Sequence, residues 1–200
     1  ALLVTMDGGG GVVSHVSHLS QRLEHSGINV LQLFISGDHL QIRPFDPSRE
    51  CYTPSLRPID LNFDKELFAE FLDWLEPEII HVQSLAHASW RAACSAIDVL
   101  IRHEAKLFVT LHDYDPICFR YNLVDREGRY CADRTPEACH ACATNNPDAI
   151  NRCEPEERIA GWYRLLKAAQ RIFVPSKDAL RRFAAVYPDL TFTLRTHEET

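Results

Sequence analysis

The sequence predicts an α/β fold built on a doubly wound parallel sheet. Short apolar segments alternate along the chain with segments whose apolar residues recur at helical spacing. The short segments are apolar at nearly every position, which is typical of strands that are covered on both faces of a sheet. With 200 residues, 46% of them apolar, the chain can bury one sizeable core, and we expect a single domain over residues 1–200.

In the first half of the chain, strands and helices are separated by glycine and proline. The predicted strands are Leu2–Val4, Asn29–Ser36 and Glu78–Val82. The first predicted helix has its apolar stripe at Val12, Val16, Leu19 and Leu23 and is ended by Gly27. The second has its apolar face at Leu67, Phe68, Phe71, Leu72 and Leu75, is capped by Asn62 or Asp64 and is ended by Pro77. The third covers Ala88–Arg102. Residues 37–60 hold four prolines and no clear period, which predicts a loop with at most one short edge strand.

The second half continues the alternation around a long irregular segment at 112–153. The predicted strands are Lys106–Leu111, Arg171–Ser176 and Leu190–Thr196. The predicted helices are one opened by Pro155, with Ile159, Trp162, Tyr163, Leu166 and Ala169, and one over Lys177–Val186. Ligands of such sheets bind outside the carboxyl ends of the strands. The polar or glycine residues that follow strands are therefore predicted to lie together at the carboxyl edge of the sheet. They are Gly8–Gly11, Gln83–Ser84, His112–Asp113 and Ser176.

Composition and charge disfavour nucleic-acid and membrane partners. The net charge is −7, which disfavours nucleic acid and anionic membranes as partners. No apolar run approaches the roughly 18 residues of a membrane span, and no signal peptide is visible, so we expect a cytoplasmic protein. The chain opens without methionine in an apolar run and closes abruptly, so we expect a piece of a longer protein.

Four consecutive glycines, Gly8–Gly11, lie between the first strand and the first helix. Such a run is costly in regular structure, because glycine loses the most backbone entropy on folding. Backbone amides at a helix start bind anions, and glycines let a phosphate or a sugar approach. The spacing matches neither a dinucleotide-binding fingerprint nor a Walker A loop. A tight strand-to-helix turn is the alternative.

His112 and Asp113 stand where a strand ends and the chain turns irregular. A histidine there can hydrogen-bond a hydroxyl or act as an acid or a base. A strand-end histidine bonded to backbone is the alternative, but the adjacent polar residues favour a functional role. His15 and His18 lie three residues apart on the first helix and are interpreted as a solvated polar face. His81, inside an apolar strand, is interpreted as a buried structural histidine.

Seven cysteines include a cluster that spans 25 residues: Cys118, Cys131, Cys139 and Cys142. The last two form Cys-x-x-Cys, which brings two thiolates onto one tetrahedral ion, and the other two would complete four ligands of a structural zinc. Disulfides and thiols that merely pack are the alternatives. His140 and Cys153 are reserve ligands, whereas Cys51 and Cys94 are interpreted as buried thiols.

Four blocks of the sequence, in this order, resemble the N-terminal domain of retaining glycosyltransferases of the GT-B fold, in the large family-4 group. The blocks are GGGGVVSHVSHLSQRLEHSGINVLQL, PEIIHVQSL, LFVTLHDYDPICFRYNLVDREGRYC with CHAC after it, and RIFVPSKDALRRF. The cysteine-bearing insertion, at about 112–153, is similar to that of a subgroup in which HDY is followed by a Cys, a G-R-x-C and a Cys-x-x-Cys. Together the blocks cover nearly the whole chain.

The resemblance implies a Rossmann-like domain that forms half of an active site, the cleft between two such domains. The glycine loop, with Gly9, Gly10 and Gly11, would line the cleft near the sugar and diphosphate. His112 would face the transferred sugar as the catalytic residue. Asp113 and Ser176, which follow strands at the same predicted edge of the sheet, are expected to be further substrate-binding residues. Family members need no catalytic divalent metal, so any zinc would be structural. The donor-binding C-terminal domain, with its E-x7-E motif, is not contained in these 200 residues.

We therefore expect the acceptor-side half of a glycosyltransferase that moves a sugar from a nucleotide-sugar donor to a glycan, lipid-linked or small acceptor. Alone, this half should lack transfer activity. Association of the full-length enzyme with the inner face of a membrane stays open. The alternative is a non-catalytic Rossmann-like binding module with a zinc-stapled loop that docks a protein or a polysaccharide.

Overall fold

The structure, a computed structural model, describes residues 1–6, 10–44, 58–125, 127–131, 135–145 and 152–196. In these ranges the strands are β1 Leu2–Met6, β2 Leu31–Ser36, β3 His39–Pro44, β4 Ile59–Asp60, β5 Ile79–Val82, β6 Lys106–Thr110, β7 Arg171–Val174 and β8 Phe192–Leu194. The helices are α1 Gly11–His25, α2 Lys65–Leu75, α3 Trp90–Leu100, α4 Pro136–Thr144, α5 Pro155–Ala168 and α6 Lys177–Val186.

The strands form one sheet in the order β4-β3-β2-β1-β5-β6-β7-β8. From β2 to β8 the neighbours in this order pair in parallel, whereas β3 and β4 extend the β2 edge by antiparallel pairing. The predicted α/β fold with a doubly wound, mostly parallel sheet is confirmed. The chain passes from β1 to β2 on one side and later enters β5 on the other, so β1 and β5 flank the switch point, where such sheets form a ligand crevice.

The sheet's centre is buried as the apolar runs predict. Leu2, Leu3 and Val4 of β1 are fully buried, as are Leu33 and Ile35 of β2. Both faces of these strands are therefore covered, because successive side chains of a strand point to opposite faces. On one side the core continues into α3, which packs against both α2 and α5.

The segment 37–60 contains more strand than its prolines suggest. β2 turns into β3 through the two residues Gly37 and Asp38, and Gly37 has a φ of 58°. Gly-Asp is a two-residue hairpin signal, because glycine adopts positive φ without steric cost. The expectation of at most one short edge strand is therefore wrong, since both β3 and β4 form. Residues 45–57, with Cys51, lie outside the described residues.

The predicted irregular segment 112–153 contains the helix α4. The hydroxyl oxygen of Thr135 accepts a hydrogen bond from the backbone N–H of Ala138 at 3.2 Å, and Pro136 occupies the first turn. Both are helix-start signals. The helix was not predicted because its sequence, PEACHACAT, has no large apolar residues and therefore shows no apolar period.

Two helix faces differ from their predicted stripes. In α2, Phe68 and Leu72 are buried, but Leu67 is 51% exposed. In α5, the buried face begins at Arg158, a residue that an apolar pattern cannot predict. Asp64 occupies the N-cap position of α2, as one of the two predicted residues, but its side chain makes no cap hydrogen bond. None of the described helices combines the length and hydropathy that crossing a bilayer requires.

Candidate functional site

The predicted site residues that the structure describes lie at one edge of the sheet. Gly10 and Gly11 follow β1, His112 and Asp113 follow β6, and Ser176 follows β7. The register shows that these strands, with β5 between β1 and β6, run parallel, so their carboxyl ends share an edge. Gly9 lies outside the described residues. For the other predicted site residues, the predicted position at one edge of the sheet is correct.

The glycine loop leads directly into α1. Gly10 occupies the cap position with a φ of 105°, a conformation that residues with a side chain rarely adopt. A Cβ atom added at Gly10 or Gly11 would meet no described atom within 4 Å. No acidic residue occupies the first turn of α1, so the positive end of the helix dipole is not neutralised there. The loop thus presents open space in front of backbone amides.

His112 is held by contacts from two other elements. In the amide orientation that the structure gives, its Nε2–H donates to Oε1 of Gln83 at 2.7 Å. Its ring also meets the ring of His15 on α1 edge-to-face, with 4.7 Å between the centroids. His15 therefore belongs to the candidate site, and its interpretation as part of a solvated face is wrong, whereas His18 is exposed.

Asp113 joins two loops at the carboxyl edge. Its carboxylate accepts hydrogen bonds from the Ser84 hydroxyl at 2.8 Å and from the Asp115 backbone N–H at 2.9 Å. Burial, and then the Asp115 carboxylate, raise the pKa of Asp113 above its usual range, although both hydrogen bonds lower it. Asp113 therefore holds the loop after β6 against the loop after β5.

Behind Asp113 lies an ion pair that sequence analysis missed. Arg158 Nη1 lies 2.7 Å from Oδ1 of Asp115, and both side chains are almost completely buried. The Arg158 guanidinium also lies 4.7 Å from the centre of the Trp90 ring, a cation–π contact. No local pattern links an arginine on α5 to an aspartate 43 residues earlier, so only the packing of α5 could identify this pair.

Ser176 and His81 have defined structural contacts. The hydroxyl oxygen of Ser176 accepts from the Ala179 N–H at 3.1 Å and so caps α6, and its role toward substrate stays a prediction. His81 Nε2 lies 2.8 Å from Oγ1 of Thr110. Burial, with smaller effects of His15 and Arg195, lowers the pKa of His81 to about 4. His81 is therefore neutral at pH 7, as expected of a structural histidine.

The four clustered cysteines line a single cavity of about 600 Å³, to which Cys153 also contributes. They come from three segments, which are the turn after β6, the chain that follows the antiparallel bridge between Val124 and Tyr130, and α4. No disulfide joins the six cysteines that the structure describes. Cys94 is half-buried and packs against the core on α3, away from this cavity.

The sequence profile of Glycosyltransferase Family 4 matches residues 9–190, almost the whole chain. The chain belongs to Glycosyltransferase Family 4. No curated protein shows a significant match to it. The family-4 match begins in the glycine loop and ends before β8, so it spans every described site residue named above.

Proposed function

We propose that this family-4 domain is the acceptor-side half of a retaining glycosyltransferase. The enzyme would transfer a sugar from a nucleotide-sugar donor to a glycan, a lipid-linked molecule or a small acceptor. The observation that carries the proposal is the position of His112, which Gln83 and His15 hold beside the switch point of a family-4 sheet. Family membership also favours this enzyme over the non-catalytic binding module.

The glycine loop suits the diphosphate or the sugar of the donor. Open space in front of Gly10 and Gly11 lets a ligand approach the backbone, and the amino end of a 15-residue helix favours negative charge. The two phosphates of a nucleotide sugar carry that charge. We therefore assign Gly9, Gly10 and Gly11 to the donor's sugar and diphosphate.

His112 would contact the transferred sugar or the leaving phosphate. Two ring contacts fix its orientation, which reduces the entropy that a catalytic group loses on reaching the reactive geometry. Gln83 is 1% exposed, and its Nε2 has no hydrogen-bond partner among the described residues, so a polar group of a ligand could satisfy it. Asp113 would act on the same ligand or hold the loop that carries His112.

Transfer would need a second Rossmann-like domain, which supplies most donor contacts, so these 200 residues alone should be inactive. We propose a cytoplasmic enzyme. A lipid-linked acceptor would bring it to the inner face of the membrane. A reaction without a catalytic divalent metal is part of the same proposal.

The test uses the full-length protein that contains this domain, with a panel of nucleotide sugars and acceptors. Release of nucleoside diphosphate is measured first, and NMR of the product then gives the anomeric configuration. Retention of configuration supports the proposal, and inversion refutes a retaining mechanism. If no donor in the panel is transferred, and none binds in calorimetry, the glycosyltransferase proposal fails.

A further inference from the structure

The four clustered cysteines converge although they are far apart in the local structure. Cys118 lies in the turn after β6, Cys131 follows an antiparallel bridge, and Cys139 and Cys142 lie on α4. All four line the cavity of about 600 Å³, which places four sulfur-bearing side chains around one volume. A cluster that merely reflected composition would not bring three separate segments to one cavity.

Backbone hydrogen bonds hold each segment in place. The Cys118 N–H donates to the Tyr114 carbonyl at 2.8 Å, and the Cys118 carbonyl accepts from the Tyr121 N–H at 2.8 Å. The Cys131 N–H donates to the Leu123 carbonyl at 2.7 Å. These contacts bring the first two cysteines to the same part of the loop.

The third segment presents two cysteines on one helix face. Cys139 and Cys142 are three residues apart in α4, and residues at that spacing are neighbours on a helix surface. The side chain of Thr135 fixes the start of this helix. Cys-x-x-Cys is thereby presented to the cavity from a defined element.

The loop between these cysteines contains backbone conformations that need support. Tyr121 and Leu123 have φ values of 49° and 55°, in the left-handed region that non-glycine residues rarely adopt. Such residues persist only where the surrounding structure holds them. A crosslink among Cys118, Cys131 and α4 would provide that support.

We propose that Cys118, Cys131, Cys139 and Cys142 bind one Zn²⁺ ion as a four-thiolate structural site. Zn²⁺ prefers sulfur and takes four ligands in a closed tetrahedral site when its role is structural. In the described structure no three of these sulfurs lie within 4.8 Å of one another, so binding would draw them together and contract the loop. Because Cys118 is bonded to Tyr114, the ion would fasten the chain that follows His112 and Asp113.

The neighbouring candidate ligands are less suitable. In the described part of the chain, His140, Glu154 and Glu156 are the group whose ligand atoms all lie within 4.8 Å of one another, but this group is largely exposed. Both ring nitrogens of His140 already face carboxylates, at 2.8 Å from Glu154 and 3.1 Å from Glu156. Cys153 lies just before α5 and also lines the cavity. The variant Cys153→Ser therefore tests whether a fifth thiol is needed for zinc binding.

The experiment measures metal in the full chain purified under reducing conditions. About one zinc per chain is expected, with Zn–S distances near 2.3 Å by X-ray absorption. Co²⁺ added to the stripped protein should give the charge-transfer spectrum of four thiolates in a tetrahedral site. Both measurements use the metal alone and need no substrate.

Single Cys→Ser variants separate ligands from bystanders. Cys118→Ser, Cys131→Ser, Cys139→Ser and Cys142→Ser should each lower Zn²⁺ affinity at least about tenfold, since each loses one of four ligands. Cys94→Ser and Cys153→Ser are the matched controls and should keep full binding. Chelation of the wild-type ion should speed amide exchange in residues 118–142 and leave the sheet protected.

Three results would overturn the proposal. They are a folded, metal-free wild type that does not take up Co²⁺, mass-spectrometric detection of disulfides among the four cysteines in cell extract alkylated without reductant, or loss of binding in Cys153→Ser with retention in one of the four variants. If a variant fails to fold, the wild-type cobalt spectrum still decides. None of these results bears on glycosyl transfer, which rests on His112 and the glycine loop.

Discussion

His112 Nε2 lies 2.7 Å from Oε1 of Gln83, a residue 29 positions earlier that is almost completely buried. The contact joins the loops that follow β5 and β6. With His15 against the same ring, the orientation of His112 is determined by three separate elements. A catalytic histidine needs its ring held in this way, and replacement of His112 should change kcat/KM measurably.

The first prediction is that His112→Ala lowers kcat/KM of the full-length enzyme by roughly 10²-fold or more, because a transition-state contact is lost. Steady-state kinetics measures it, with thermal unfolding to show that the fold survives. His18→Ala, one turn along α1 from His15 and exposed, is the matched control and should retain activity. A change of less than about threefold in kcat/KM would return His112 to a structural role.

The second prediction concerns Gly11 rather than Gly10, whose φ of 105° would strain any substitution. Gly11→Ala should stabilise the fold slightly, by roughly 0.4–1 kcal/mol, because it reduces the entropy of the unfolded chain at a position without positive φ. Gly11→Val should lower kcat/KM by roughly tenfold or more, because its side chain would enter space assigned to the donor. Thermal unfolding and steady-state kinetics measure the two effects. Normal kinetics in a folded Gly11→Val variant would remove this loop from the site.

The third prediction follows from the raised pKa of Asp113. Between the unfolded pKa, about 3.9, and the raised folded pKa, the folded state binds more protons, so this carboxyl makes stability fall as pH rises. Asp113→Asn keeps an acceptor for Ser84 and removes the charge. The free energy of unfolding of the variant minus that of wild type should therefore be larger at pH 8 than at pH 4.5, which means that the variant is relatively more stable at pH 8.

Urea unfolding at the two pH values measures that difference in the full chain. Asp98→Asn provides the matched control, since Asp98 is a partly exposed aspartate of α3 that pairs with Arg164 of α5. An equal change for Asp113→Asn at pH 4.5 and pH 8 would contradict the raised pKa.

The fourth prediction tests the packing behind the site. A Cβ at Gly161, in the middle of α5, would lie 2.8 Å from Cη2 and Cζ2 of the buried Trp90 ring. Gly161→Ala should therefore destabilise the protein, because an overpacking cost of roughly 1–3 kcal/mol exceeds the helix-propensity gain of about 1 kcal/mol. Chemical denaturation measures the net effect.

A double-mutant cycle with Trp90→Phe isolates this contact. Phenylalanine lacks the two ring atoms that Gly161 faces, so in that background Gly161→Ala should become neutral or stabilising. Additive effects of the two substitutions would show that Trp90 does not limit the size of residue 161. The zinc measurements above form the fifth prediction.

The sequence by itself determined the strand and helix alternation and the edge that carries the candidate site. Buried parallel strands such as β1 are apolar at nearly every position, and their carboxyl ends lie at one edge of the sheet. Gly10, His112 and Ser176 could therefore be assigned to that edge. The cysteine spacing likewise predicted a common location for its four members.

Only the tertiary structure decided which side chains meet at that edge. His15 contacts His112, which lies 97 positions later in the sequence, so no local period predicts the contact. Arg158 reaches Asp115 only because α5 packs beside α3, which carries Trp90. The exposure of Leu67 was missed for the same reason, whereas α4 was missed because its own residues show no apolar period. Local propensity and apolar period depend on neighbours within a few residues, whereas buried ion pairs and ring contacts depend on how elements pack.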